Sequence, residues 1–261
     1  MNTLFARIRN ISPAFYYCGL AHFALFVLIL IISQFDQRQL LGINLWIKPM
    51  KFALSIAIYS LTWPLLLQYL PFERAKKRFT NFSVFALTFE MVCIATQAAR
   101  GQLSHFNLTG IYNSLVFDSM GVVIVLQTLF ALYIGCLFFK VKPGQMPAAL
   151  LWSIRLGIIM AGVFALEGGM MAARMAHTIG ADDGGPGLPF FNWSRMAGDL
   201  RIAHFLGLHA LQIIPLFALF TGFKTATATV IFGTAYFVLV SLLLYNAMLG
   251  LPLSFPPLMR P

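Results

Sequence analysis

The stretch ATATVIFGTAYFVLVSLLLYNAML, Ala226–Leu249, carries no charged residue and is long enough to cross the hydrocarbon core of a bilayer as one helix. Six similar runs precede it, roughly Ala14–Ser33, Met50–Leu70, Asn81–Ala99, Ser114–Phe139, Ala148–Met171 and Leu200–Gly222, each bounded by charge, Pro or Gly. The composition agrees, because 261 residues that are 59% hydrophobic and only 10% charged lack the polar side chains to cover a water-soluble body. The formal net charge of +10 does not indicate nucleic acid, since the basic residues are spread between apolar runs and form no dense patch with interleaved aromatics. Cys18, Cys93 and Cys136 each fall inside an apolar run without CxxC or Cys/His spacing, and read as small buried hydrophobes.

The expected fold is an all-α integral membrane protein, a seven-transmembrane-helix bundle formed by residues 1–261 as a single polytopic domain. The first run follows Arg7 and Arg9 as a signal sequence would, but it is too long and lacks a small-residue cleavage site, so it reads as an uncleaved helix. Orientation follows from the connecting segments. Arg7 and Arg9, the cluster Glu73-Arg74-Ala75-Lys76-Lys77-Arg78, Lys140 with Lys142, and Lys224 form one short, basic set, which belongs in the cytoplasm. The opposite set mixes acids and bases: Asp36 and Arg38, Arg100–Asn107, Ala181–Arg201 and the C-terminal tail. The N-terminus is therefore expected inside, the C-terminus outside, and the membrane is expected to be the cell inner membrane. Charges kept outside against the topogenic rule point to a working surface on that side.

Ionisable residues inside spans are costly and usually face the bundle interior. Glu90 lies near the middle of the third span, with Cys93, Gln97 and Arg100 at offsets of three, seven and ten residues, one stripe of a helix. Glu167 in the fifth span is followed at the same offsets by Met170, Arg174 and His177. AAR recurs at Ala98–Arg100 and Ala172–Arg174, HFN at His105–Asn107 against FFN at Phe190–Asn192, and LFAL at Leu129–Leu132 against Leu216–Leu219. These echoes suit a duplicated helical hairpin, the third and fourth spans matching the fifth and sixth. Chance recurrence of common apolar residues is the other reading, and the glutamate and AAR registers differ by three residues.

The sixth span opens with Asp199 and Arg201 and then carries His204, His209 and Gln212. Its histidines are five residues apart, not the three or four of a metal-binding pair on one helix, so they serve different partners. The long segment before it, with Asp182, Asp183, several Gly and Pro, then Phe190, Phe191 and Trp193, reads either as a lid or as a connector anchored at the interface. Lys48 and Lys51 beside Trp46 read as snorkelling side chains, with Lys51 also a candidate for an anionic group.

Three functions fit these residues. The first is a transporter or binder of a small anionic or lipid-like ligand. Glu90, Gln97, Glu167, His204, His209 and Gln212 would line its polar site, proton coupling would run through the Glu and His side chains, and Lys51, Arg100, Arg174, Asp199 and Arg201 would lie toward the outside. The second is a membrane enzyme acting on a lipid or quinone at the outer leaflet, with His105, His177, His204, Asp182, Asp183 and Asp199 as metal or acid–base candidates; no GxSxG or HExxH accompanies them. The third is a b-type haem electron carrier using depth-matched histidines, His22 with His209, or His204 with His105 or His177. The site is expected between the third, fifth and sixth spans, floored by Glu90 and His209. Thiol labelling of a cysteine placed among Arg74–Arg78 is expected to succeed only from the cytoplasmic side; labelling from outside would reverse the orientation.

Overall fold

The computed structural model describes residues 4–142, 144–222 and 225–253. Lys224 and most of the C-terminal tail, both used for the orientation, lie outside the described residues. The chain forms α1 (Leu4–Ile11), α2 (Pro13–Phe35), β1 (Gln39–Leu40), β2 (Ile43–Asn44), α3 (Ile47–Leu67), α4 (Glu73–Ala99), α5 (Ile111–Phe138), α6 (Ala148–Arg174), β3 (Thr178–Ile179), β4 (Gly198–Asp199), α7 (Leu200–Phe220) and α8 (Ala226–Met248). The two pairs of short strands, β1 with β2 and β3 with β4, are antiparallel. Helices α2 to α8 are the seven that are long and apolar enough to cross a membrane, so the fold is an all-α membrane bundle.

Two helix starts differ from the apolar runs, and both for a physical reason. Helix α3 begins at Ile47, not Met50, because Pro49 sits in the first turn, where no backbone N–H is needed. Helix α4 begins at Glu73, not Asn81: the basic cluster consists of good helix formers and continues the span out of the hydrocarbon. Ahead of the bundle, α1 buries Ile8 and exposes Arg7 and Arg9, and the Arg7 guanidinium donates to Gln68 Oε1 at 2.6 Å. Pro13 at the first position of α2 separates the two helices.

The two ends of the bundle are built differently. At the end that carries Arg7 and the α4 basic turn, Phe15, Trp63, Phe79, Phe138 and Ile154 belong to one fully buried cluster, with the Trp63 and Phe79 rings 4.4 Å apart. This basic end is filled by aromatic packing. The opposite, polar end holds both strand pairs and the long segments 100–110 and 175–199. The AAR triplets occupy matching places there, closing α4 and α6.

Helix packing in a bilayer has little hydrophobic drive and depends on close backbone approach. Helices α6 and α7 achieve it through glycine. A Cβ at Gly157 would stand 2.9 Å from the Ala210 carbonyl oxygen, and one at Gly207 would overlap Phe164. Gly157→Val is therefore expected to lower stability by about 1–3 kcal/mol, read as a fall in the thermal midpoint in detergent. Gly169→Ala, where a Cβ meets nothing within 4 Å, is the control and leaves the midpoint unchanged or slightly raised.

Candidate functional site

The polar end is organised from the start of α3. The Asn44 side chain accepts from the Trp46 backbone N–H (2.9 Å), and the Trp46 indole donates to Asp36 Oδ2 (2.9 Å). Arg38 chelates the same carboxylate and caps the Ala99 carbonyl at the end of α4. The Arg38 guanidinium and the Trp46 indole hold Asp36 well below the usual carboxylate range. The Asp36–Arg38 pair is thus structural: it ties the β1–β2 hairpin to α4 and sets where α3 begins. Lys48 and Lys51, three apart, then share one face of the first turns. Cations are disfavoured at a helix N-terminus, where the macrodipole is positive, so their placement needs compensation from other elements.

Charges of both signs converge on Lys48, and only Asp183 and Glu90 offset it. Lys51, Arg201, Asp183 and Glu90 stand within its electrostatic reach, as do the rings of His105 and His177. Lys48 nevertheless makes no hydrogen bond or ion pair among the described residues. Glu90, on α4, is 4% exposed, and its Oε1 is buried without a partner. Glu167, on α6, is 7% exposed; its Oε2 lies 3.2 Å from His204 Nδ1 on α7, while its Oε1 is also unpartnered.

The neighbouring charges are internally matched. Asp199 caps α7 by accepting from the Arg201 backbone N–H (3.0 Å), takes the Ser194 N–H at 2.6 Å, and is chelated by the Arg201 guanidinium. Arg201 also donates to the Asn192 carbonyl, and Lys51 Nζ to the Phe191 carbonyl at 3.0 Å. These two cations latch the segment before α7 across the start of α3. The Phe191 and Trp193 rings meet at a tilt, 4.5 Å apart, and pack on Phe205, so aromatic anchoring and coverage of the site coexist in one segment. A groove of about 530 Å³ runs between that segment and the β1–β2 hairpin, lined by Leu41, Ile43, Gly184, Gly187 and Phe190, and it reaches Ile47, the residue before Lys48.

His177 and Asp183 form a closely bonded pair. The carboxylate accepts from the His177 backbone N–H (3.0 Å), the Thr178 N–H (3.0 Å), the Thr178 hydroxyl (2.8 Å) and His177 Nδ1–H (2.6 Å). Burial pushes Asp183 up, but the donors of His177 and Thr178 outweigh it and hold the group well below the usual carboxylate range. Burial lowers His177 despite Asp183, and burial with the nearby Lys48, His177 and His204 charges keeps His105 well below an ordinary imidazole. His177 Nε2 has no partner among the described residues.

Of the residues singled out in the sequence, the structure gathers Lys51, Glu90, Glu167, Asp199, Arg201, His204, His105, His177 and Asp183 around this point. It does not bring in Arg100, which is bonded to Gln97 and Asn113 and stacked on Tyr112 at the start of α5, nor the exposed Arg174 and Asp182. Gln97 likewise turns toward Asn113. His209 lies deeper on α7 than His204 and is bonded to Gln212, which donates to Thr62 of α3. His22 bonds the Cys18 carbonyl, and Cys18 meets Ser60 of α3. Ser60 and Thr62 stand about 160° apart around that helix, so the contacts that lead to His22 and to His209 meet α3 on different faces. Among the described residues, no three or more His, Cys, Asp and Glu are placed to hold a metal ion. The metal reading of His105, His177, Asp182 and Asp183 gains no support, because Asp183 is spent on its own loop and Asp182 is exposed.

The central residue, Lys48, escaped the list of sequence candidates because a lysine beside an interfacial Trp looks like a snorkelling side chain. The available signal was two lysines in the first turns of one helix, against the dipole. The chain defined by this fold and site is a seven-helix membrane bundle with a partly unmatched charge cluster at one end. Compared with known proteins, it matches no family model, no curated protein and no solved structure.

The depressed His105 and His177 make stability pH-dependent. An unfolded imidazole takes a proton near pH 6.5, whereas these folded rings resist it. Their contribution is intact above about pH 6.5 and is lost as pH falls below it. The thermal midpoint is expected to drop between pH 7 and pH 5, and the slope to flatten in the His105→Gln/His177→Gln variant.

Proposed function

We propose that this chain is a multi-pass protein of the cell inner membrane that binds, and carries inward with proton exchange, a small ligand bearing an anionic group. The N-terminus is cytoplasmic, by the basic loops, and the polar end faces outside. The observation that carries the reading is Lys48: a lysine without a hydrogen-bonding partner, flanked by Lys51 and Arg201 and enclosed by the polar end of the bundle. A cationic group kept in that setting is a binding site for negative charge. Glu90 and the Glu167–His204 pair are the groups available to exchange a proton, since each carboxylate has a buried oxygen with no donor. The filled aromatic end supports a site that opens to one side at a time.

A second reading rests on the His177–Asp183 pair. An imidazole that donates Nδ1–H to a firmly held carboxylate and leaves Nε2 free is arranged as a general base, which would suit an enzyme acting on a lipid or quinone at the outer leaflet. Among the described residues no hydroxyl or thiol is bonded to its Nε2: Ser104 Oγ bonds His105 Nδ1, not His177.

Binding of propionate, succinate and inorganic phosphate to the protein in nanodiscs tests the main reading. Lys48→Met is expected to weaken the best of these by at least about tenfold, the value of one charge-assisted hydrogen bond. Accumulation in proteoliposomes should respond to an imposed pH gradient. Equal affinity in wild type and Lys48→Met would refute the anion site, and dependence of lipid turnover on His177 would favour the enzyme.

A further inference from the structure

The charges around Lys48 divide into those that are matched and those that are not. Asp199 is matched by Arg201, and Asp183 by His177 with Thr178. Lys51 and Arg201 are also engaged by the Phe191 and Asn192 carbonyls. Lys48 and Glu90 remain. They lie within electrostatic reach of one another, yet no ion pair forms between them. The two groups stand apart, each without a partner, on helices α3 and α4, which one Asp36–Arg38 pair holds in place, α3 through the Trp46 indole and α4 through the Ala99 carbonyl.

A simple anion satisfies only half of this arrangement. Bound at Lys48, it would set a negative charge near the Glu90 carboxylate, which has no donor of its own, and like charges brought together in a poorly solvated site repel strongly. A ligand that carries a donor cation a few bonds from its anionic group satisfies both ends at once, with charge-assisted hydrogen bonds to each. We infer that the preferred ligand is a zwitterion, its anionic group on Lys48 and its primary ammonium on Glu90. The inference rests on the anion-binding reading above and adds the class of ligand. Two sources offer this chemistry, a free amino acid and the ethanolamine phosphate headgroup of a lipid.

Matched probes decide it. Affinities in nanodiscs are compared for alanine against propionate and for phosphoethanolamine against ethyl phosphate, pairs that differ chiefly by the ammonium. A third comparison sets nanodiscs of phosphatidylethanolamine against phosphatidylglycerol, followed by native mass spectrometry of retained lipid. The expected result is at least about a tenfold preference for one zwitterion over its matched anion, lost in Glu90→Gln and retained in Glu90→Asp, which keeps the charge if the amide variant folds poorly. Preference confined to the lipid comparison assigns the ligand to the headgroup, and preference for alanine assigns it to a free solute. If the plain anions bind as well as or better than the zwitterions, the inference is overturned while the anion site stands. If no probe of either kind binds, both fall. A preference that survives in Glu90→Gln removes Glu90 from the site.

Discussion

An ionised group carried into an apolar bundle must be matched by partners, because the surrounding medium offers none. The polar end of this protein is arranged by that constraint. Asp36, Asp183 and Asp199 each collect donors from a loop and a cation or imidazole, and in doing so they fix the hairpin, the turn after α6 and the start of α7. The same constraint makes the exceptions stand out. Where the rest of the polar end spends its charges on structure, Lys48 and Glu90 are left over, and Glu167 keeps one oxygen free.

The seven spans were legible because their cause is a length and a composition, both of which a sequence carries directly. The ends were less so. Polar turns at Ile47–Lys51 and Glu73–Arg78 are helical, and an apolar window stops before them. Within the site, Glu90, Glu167 and His204 could be read from their depth in a span, since a charge there has few structural uses. Gln97 and Arg100 share the Glu90 stripe by spacing but bend to the start of α5, because Asn113 and Tyr112 offer them partners that periodicity cannot reveal. His22 and His209 match in depth by counting, but the faces of α3 that their neighbours meet, Ser60 through Cys18 and Thr62 through Gln212, are a property of packing.

The bundle also separates rigidity from chemistry. Gly157 and Gly207 let α6 and α7 meet backbone to side chain, and the aromatic cluster around Trp63 closes the basic end. Helices α3 and α7, by contrast, reach one another through long polar side chains, Gln212 to Thr62 and Lys51 to the segment leading into α7. Helix seams made of small residues hold position; a seam made of long side chains can exchange partners without repacking.

The latch over the site is fastened on one side only by side chains. Lys51 and Arg201 grip the carbonyls of Phe191 and Asn192, groups that every amino acid supplies. Closure is therefore insensitive to what the loop displays at those two positions, provided the backbone keeps its path. The side chains at those two positions are free to vary, while the cations beneath them are not. Side-chain identity along the loop and the charges that hold it are in this way constrained separately.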